Sequence, residues 1–174
     1  MVEIEQIPIE LRWRLAARTL AVLPLAYNQA LREKMGEEYD KIEQQVLGKV
    51  AKDSRALAAA FQIPIHGPRS LAEIIGVTNA ILFGPGFAIE SEESPEGVVL
   101  RMTSCPMIGI AKEIGLEPGR AYPACTAFHA SLIESLNPEF RLIQKKAICK
   151  GDAYCEMVIE QKDRQNSNDR TVGP

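Results

Sequence analysis

The fold of this chain is decided by residues 101–160, which read RMTSCPMIGIAKEIGLEPGRAYPACTAFHASLIESLNPEFRLIQKKAICKGDAYCEMVIE. Apolar and polar residues alternate near both ends of this stretch, as in β-strands, whereas its middle carries the 3.6-residue repeat of helices. Pro106 and Tyr122-Pro123 suit the first turns of two helices, and Gly115 and Asn137-Pro138 suit their ends. We therefore predict two helices between strands.

Four strands surround these helices in the predicted order. Phe87–Glu90 and Val98–Ser104 form a hairpin closed by the polar loop SEESPEG, and Phe140–Cys149 and Tyr154–Gln161 form another closed by KGDA. In the strand from Val98 the alternation predicts one buried face and one partly solvated face. The order β-β-α-α-β-β predicts an α+β fold with an antiparallel sheet.

The first half of the chain is predicted to be helical. A first helix is ended or kinked at Pro24, and a second runs to Gly36. A third is expected over about residues 37–61, and Ser70, with Glu73 three residues later, has the chemistry of a capping box that opens a fourth.

These patterns divide the chain into three segments. Residues 1–84 form a helical subdomain, and residues 85–161 form an α/β subdomain that carries every cysteine. Residues 162–174 are polar and aperiodic, which predicts a disordered tail.

Composition excludes several classes of partner. The chain has 174 residues, a net charge of −3 and dispersed Lys and Arg, so it shows no electrostatic footprint for nucleic acid or an anionic membrane. Its apolar runs are interrupted before about 18 residues, the length that a membrane span needs. The N-terminal MVEIEQIPIE is acidic where a signal peptide is basic, which predicts a cytoplasmic protein. The apolar helical stripes leave a homodimer possible.

The four cysteines are Cys105, Cys125, Cys149 and Cys155. Four thiolates can complete a tetrahedral zinc site or hold one [4Fe-4S] cluster, and the sequence does not distinguish the two. The alternative is that they are buried free thiols, because a reducing cytosol disfavours disulfides.

The predicted elements bring the cysteines together. Cys105 lies at a strand-to-helix junction and Cys125 in the first turn of a helix, where a thiol pKa is lowered. Cys149 and Cys155 flank one hairpin tip and are expected to face each other across the ladder within about 6 Å. For all four cysteines to bind one ion, the three separate segments that carry them must still come together.

Two other residues are candidates for proton transfer. His129 follows Cys125 by four residues and shares its helix face, so it is a possible ligand, proton shuttle or partner of a thiolate. Beside Phe128 it can equally be a satisfied core residue. Glu156 is a possible acid or base, although strand alternation points it away from Cys155.

Specific marks in this stretch resemble the L-2-amino-thiazoline-4-carboxylic acid hydrolase-like family. They are Cys105-Pro106, Cys125, Asn137-Pro138 and the run Gly151-Asp152-Ala153-Tyr154-Cys155-Glu156. The segment from Cys125 to Cys155 is also similar to the 4-vinyl reductase domain, a small-molecule-binding module. That resemblance implies the fold of nitric-oxide-sensing haem domains and transport-particle subunits, in which helices and an antiparallel sheet enclose a ligand pocket.

Two functions follow from the residues and the resemblance. The first is a cysteine-ligated metal- or cluster-binding protein with a small-molecule pocket. The alternative is a hydrolase of the thiazoline-carboxylate type, in which a metal-bound water or a thiolate such as Cys105 attacks a C=N or C–N carbon while His129 or Glu156 moves protons. Cys149 decides between a closed four-ligand site and an open one.

Overall fold

Helices dominate the first half of the structure, and two strands, two α-helices and two further strands follow in the second. The computed structural model describes residues 3–162. Its helices are α1 (Ile9–Met35), α2 (Glu37–Val50), α3 (Ser54–Ala60), α4 (Pro68–Phe83), α5 (Pro106–Glu113) and α6 (Tyr122–Leu136). Its strands are β1 (Ala88–Ser94), β2 (Gly97–Ser104), β3 (Phe140–Lys146) and β4 (Cys155–Gln161). The predicted α+β class is confirmed.

The strands form one sheet in the order β1-β2-β4-β3, and every neighbouring pair is antiparallel. One face of the sheet packs against the helices and forms one side of the hydrophobic core. It carries Val98, Leu100 and Met102 of β2 and Cys155, Met157 and Ile159 of β4, all buried. The alternation predicted for β2 is therefore confirmed, and it places Cys155 on the core side.

The first hairpin is tighter than predicted. Strands β1 and β2 pair as far as Ser94 and Gly97, so only Pro95 and Glu96 form the turn instead of the whole SEESPEG loop. Gly97 has a φ of 137°, and a Cβ atom there would lie 2.1 Å from the carbonyl oxygen of Ile159. A side chain is excluded at this position because the backbone of β4 passes too close.

Helices cover the buried face of the sheet in two layers. Helices α4 and α6 pack directly on the strands, and α1 and α2 pack on these helices. One apolar cluster joins α4, α6 and the sheet, so residues from both halves of the chain share a core. The division at residues 84 and 85 stays a prediction, although α4 ends and β1 begins beside it.

Pro24 does not end a helix. Helix α1 continues through it for 27 residues, and the predicted break is wrong. Proline removes one N–H donor, which costs about 3 kcal/mol in a helix interior. The stripe of Ala17, Ala21, Leu25 and Asn28 is buried against neighbouring helices, and this packing offsets the lost hydrogen bond.

Two other helix boundaries differ from the prediction. Helix α4 begins at Pro68, and the hydroxyl of Ser70 donates back to the carbonyl of Gly67 at 3.0 Å, so Ser70 lies inside the helix and does not cap it. The single helix expected over 37–61 is divided by a 3-10 turn at Ala51–Asp53. Proline at a first helical position outcompetes the capping box because its missing N–H costs nothing there.

The predicted disordered tail lies outside the described residues from position 163 onward. Lys162 is described, and its backbone N–H donates to the carbonyl of Glu139 at 2.8 Å. Within residues 3–162, no helix has both the length and the apolar composition that crossing a bilayer requires.

Candidate active site

Cys125 and His129 lie on one face of α6, one turn apart. The helix begins at Tyr122, and Pro123 occupies its first turn, where it needs no N–H partner. The Sγ atom of Cys125 lies 3.6 Å from Nδ1 of His129. This separation is within the reach of a thiol–imidazole hydrogen bond, and it follows directly from the four-residue spacing.

The other nitrogen of His129 contacts Asn79 of α4. Its Nε2 atom lies 3.0 Å from Nδ2 and 3.3 Å from Oδ1 of Asn79. Both side chains are fully buried. With the proton on Nε2, the imidazole donates to Oδ1 and leaves Nδ1 free to accept the Cys125 proton; with the proton on Nδ1, Nε2 accepts from Nδ2. The three side chains thus form a Cys–His–Asn chain.

Burial keeps this chain neutral at rest. It raises the pKa of Cys125 well above its usual value, whereas the position near a helix N-terminus predicts a lowered pKa, and the neighbouring thiols, Cys105 foremost, raise it further. Burial lowers the pKa of His129 to about 4 against the weaker opposing effect of the Cys125 backbone carbonyl. A neutral thiol and a neutral imidazole therefore face each other near pH 7.

Cys125 and His129 line a cavity of about 170 Å³ between α1, α2, α4 and α6. Most of its wall is apolar, with Leu25, Leu47, Phe83, Met107 and Phe128 among the lining residues. An apolar cavity of about 150 Å³ accepts benzene, so this cavity has room for one small ring with few substituents.

Two polar side chains, Asn28 of α1 and Glu43 of α2, lie on one side of the cavity. Asn28 donates through Nδ2 to Oε2 of Glu43 at 2.9 Å, and the hydroxyl of Tyr39 lies 3.3 Å from Oε1 of Glu43. Burial, the largest effect, raises the pKa of Glu43, while the bonds from Asn28 and Tyr39 lower it. Asn28 and Glu43 both line the cavity.

The remaining cysteines lie beside this site. Cys105 is the N-cap of α5, as predicted. Cys149 belongs to the 3-10 turn Ile148–Lys150, because β3 ends at Lys146. Cys155 pairs with Met102 in the sheet, and its Sγ atom accepts the N–H of Ile148 at 3.3 Å. Cys149 and Cys155 therefore do not face each other across the β3–β4 ladder as predicted.

The connection between β3 and β4 explains this difference. A carboxylate oxygen of Asp152 accepts the backbone N–H of Ala147 at 2.7 Å, and Gly151 takes a left-handed conformation with φ of 101°. These interactions favour a compact turn instead of further ladder pairs. The residue pattern of β3 alone contains no signal for this early end.

A preformed metal centre is not supported. Across residues 3–162, no group of three or more His, Cys, Asp and Glu side chains is arranged to hold an ion. Burial raises the pKa of Cys105 to about 11 and also raises the pKa values of Cys149 and Cys155. The zinc or cluster assignment stays a prediction.

Glu156 lies away from Cys125 and His129. Its Oε2 atom lies 3.4 Å from Nε of Arg101, on the face of the sheet opposite Cys155. Helices α4 and α6 cover the other face. The structure thus brings His129 to a thiol and leaves Glu156 in an ion pair.

The family model of the L-2-amino-thiazoline-4-carboxylic acid hydrolase matches residues 14–159. The chain belongs to this family. The match covers α2 to β3 in full and most of α1 and β4, so the L-2-amino-thiazoline-4-carboxylic acid hydrolase family includes both the helical half and the cysteine-bearing half. No curated protein matches the chain. The similarity to the 4-vinyl reductase domain stays a prediction.

Sequence reasoning missed Asn79, Asn28 and Glu43. A usable signal existed for two of them. Asn79 occupies the buried stripe of α4 with Leu71 and Ile75, and Asn28 extends the buried stripe of α1 after Leu25. A polar residue in an apolar helical stripe needs a partner, which marks a structural network or a site. Glu43 carried no such signal, because α2 is rich in acidic residues.

Proposed function

We propose that this protein is a cysteine-dependent hydrolase of the thiazoline type. Cys125 is the nucleophile, His129 accepts and returns its proton, and Asn79 positions the imidazole. The single observation that carries the proposal is the Cys125–His129–Asn79 chain on the wall of a ring-sized cavity. Family membership supports a hydrolytic reaction at a C=N carbon.

The reaction is a ring opening in two halves. Sγ of Cys125 attacks C2 of a 2-amino-thiazoline while its proton passes to Nδ1 of His129. The ring C2–S bond then breaks, the leaving sulfur takes that proton, and C2 stays bonded to Cys125 as an isothiourea. Water next attacks C2 with His129 as base, the C2–Sγ bond breaks, and Cys125 recovers its proton. The balance is one water consumed and one urea with one free thiol formed.

A positively charged substrate makes the first step easier. In the resting site both partners are neutral, and burial opposes formation of a thiolate. A cation in an apolar cavity stabilises a nearby developing anion far more strongly than it does in water. A protonated amidine carbon is also the better electrophile. The substrate's own charge therefore helps deprotonate Cys125.

The cavity favours Cys125 as the nucleophile over Cys105, the thiol that the sequence predicts for this role. Cys105 is absent from the described residues that line the cavity, whereas Cys125 and His129 both border it. Cys125 also has an imidazole within 3.6 Å. A nucleophile needs a base within reach, and this geometry favours Cys125.

The experiment compares single variants on a small panel of thiazolines. The full chain is incubated with 2-amino-2-thiazoline and with L-2-amino-thiazoline-4-carboxylate, and the hydrated ring-opened product is measured by mass spectrometry. Cys125→Ser is expected to lower product formation by about 100-fold or more. Cys149→Ser, a matched thiol replacement away from the cavity lining, is expected to retain activity. Turnover that survives Cys125→Ser, or no turnover of either compound, overturns the proposal.

A further inference from the structure

We infer that Asn28 and Glu43 form a recognition subsite for the N–H edge of a cationic amidine. The substrate class is then a cyclic amidine whose other substituents are apolar, and a carboxylated ring binds poorly. This inference rests on the proposed function, because it names the substrate of the same cavity.

Asn28 presents a carbonyl oxygen without a partner. The residue is 1% exposed, it lines the cavity, and its Nδ2 is engaged with Glu43. Its Oδ1 atom is buried and has no hydrogen-bond partner among the described residues. A buried acceptor without a donor is unfavourable, so a ligand N–H that reaches Oδ1 removes that penalty on binding.

Ionised Glu43 supplies the negative charge, and a bound cation favours this form against the burial that raises the pKa of the carboxyl. Its two oxygens receive one bond each from Asn28 and Tyr39, and an ionised carboxylate can accept about four. Arg32 also acts on Glu43, but its guanidinium pairs with Asp40 at 2.9 Å. Capacity for further N–H donors therefore remains.

The acceptors match an amidinium group. Such a group is planar, carries a delocalised positive charge and points several N–H bonds from one edge. Two adjacent acceptors, one of them anionic, bind this arrangement with charge-assisted hydrogen bonds. Bound there, the amidine carbon faces a cavity whose wall also carries Cys125 and His129.

A carboxylate on the ring has no matching partner. The described residues that line the cavity include neither Lys nor Arg, and His129, with a pKa of about 4, is uncharged near neutral pH. Burying an unpaired anion in an apolar cavity beside Glu43 is unfavourable. The cavity therefore selects the amidine cation and disfavours its carboxylated relative.

Binding is tested in the full chain with Cys125→Ser, which prevents turnover. Isothermal titration uses 2-amino-2-thiazoline, which is protonated at neutral pH, neutral 2-methyl-2-thiazoline, and L-2-amino-thiazoline-4-carboxylate. The cation is expected to bind about tenfold or more tightly than either other probe. Adding Glu43→Gln is expected to remove most of that preference, and Asn28→Leu to weaken cation binding. Glu38→Gln, the same charge change at an exposed site of α2, is the control and leaves binding unchanged.

The outcomes separate this inference from the proposed function. Carboxylate binding as tight as cation binding, or a cation affinity unaffected by Glu43→Gln, overturns the subsite even if Cys125-dependent turnover is observed. The expected preference without Cys125-dependent product keeps the subsite and overturns the hydrolase. If a Glu43 or Asn28 variant fails to fold, the ranking of the three probes on Cys125→Ser alone decides.

Discussion

Sγ of Cys125 lies 3.6 Å from Nδ1 of His129, and the opposite nitrogen of that ring lies 3.0 Å from the amide of Asn79. The first contact is local to one helix turn. The second spans 50 positions of sequence and joins α6 to α4. Together these two contacts fix the orientation of the buried His129 imidazole.

Asn79→Ala is expected to lower kcat of thiazoline hydrolysis by about tenfold or more with little change in KM, because His129 loses the partner that orients it. Thr78→Ala is the matched control, because Thr78 is buried beside Asn79 and its hydroxyl has no partner among the described residues. Equal kcat values for the two variants would contradict a positioning role for Asn79.

The free energy of unfolding is expected to fall as the pH drops from about 6.5 to about 4, partly because of His129. Its pKa is lowered to about 4 in the folded protein by burial, whereas the unfolded chain titrates near 6.5. Between these pH values the histidine is protonated in the unfolded state but not in the folded state. Lowering the pH therefore reduces the free energy of unfolding by up to about 3 kcal/mol.

Urea unfolding at about pH 7 and about pH 4.5 measures this effect. His129→Gln should show a smaller loss of stability between the two conditions than the unmodified protein. His66→Gln, which replaces the exposed histidine, should behave like the unmodified protein. Equal pH dependence in His129→Gln and the unmodified protein would mean that His129 is not buried in its neutral form.

Gly97→Ala is expected to destabilise the fold by on the order of 3 kcal/mol, because φ of 137° is strained for alanine and its Cβ would meet the Ile159 carbonyl. Gly109→Ala is the control, since that residue is exposed within α5 and open space surrounds it. It should be stabilising by up to about 1 kcal/mol through helix propensity. Thermal unfolding of both variants tests the register between β2 and β4. Comparable melting temperatures for the two variants would refute this register.

Chelation separates the thiol mechanism from a metal mechanism. Product formation is expected to survive dialysis of the anaerobically purified protein against a strong chelator, because the proposed steps use only Cys125, His129 and water. Metal analysis and an absorption spectrum are recorded on the same samples. Activity that is lost on chelation and restored by zinc, or that is abolished by Cys149→Ser, would establish the cysteine metal site and displace Cys125 as nucleophile.

The amino-acid sequence by itself determined the order of elements, the buried face of β2 and the family. These features are local or periodic. Alternation in β2, proline at the start of α5 and α6, and four-residue spacing of Cys125 and His129 each act within a few residues. The same local rules predict a later end for β3 and a break in α1 at Pro24. In the structure a turn hydrogen bond ends β3 early, and helix packing keeps α1 continuous.

Only the tertiary structure decided the composition of the site. Asn79 meets His129 because α4 and α6 pack side by side on the sheet, and Asn28 meets Glu43 because α1 and α2 pack above them. No periodic pattern encodes which polar residue of one helix faces which residue of another, since that depends on how apolar side chains interdigitate throughout the core. The cysteines predict thiol chemistry in the second half of the chain, and packing places one of these thiols beside an imidazole and a cavity.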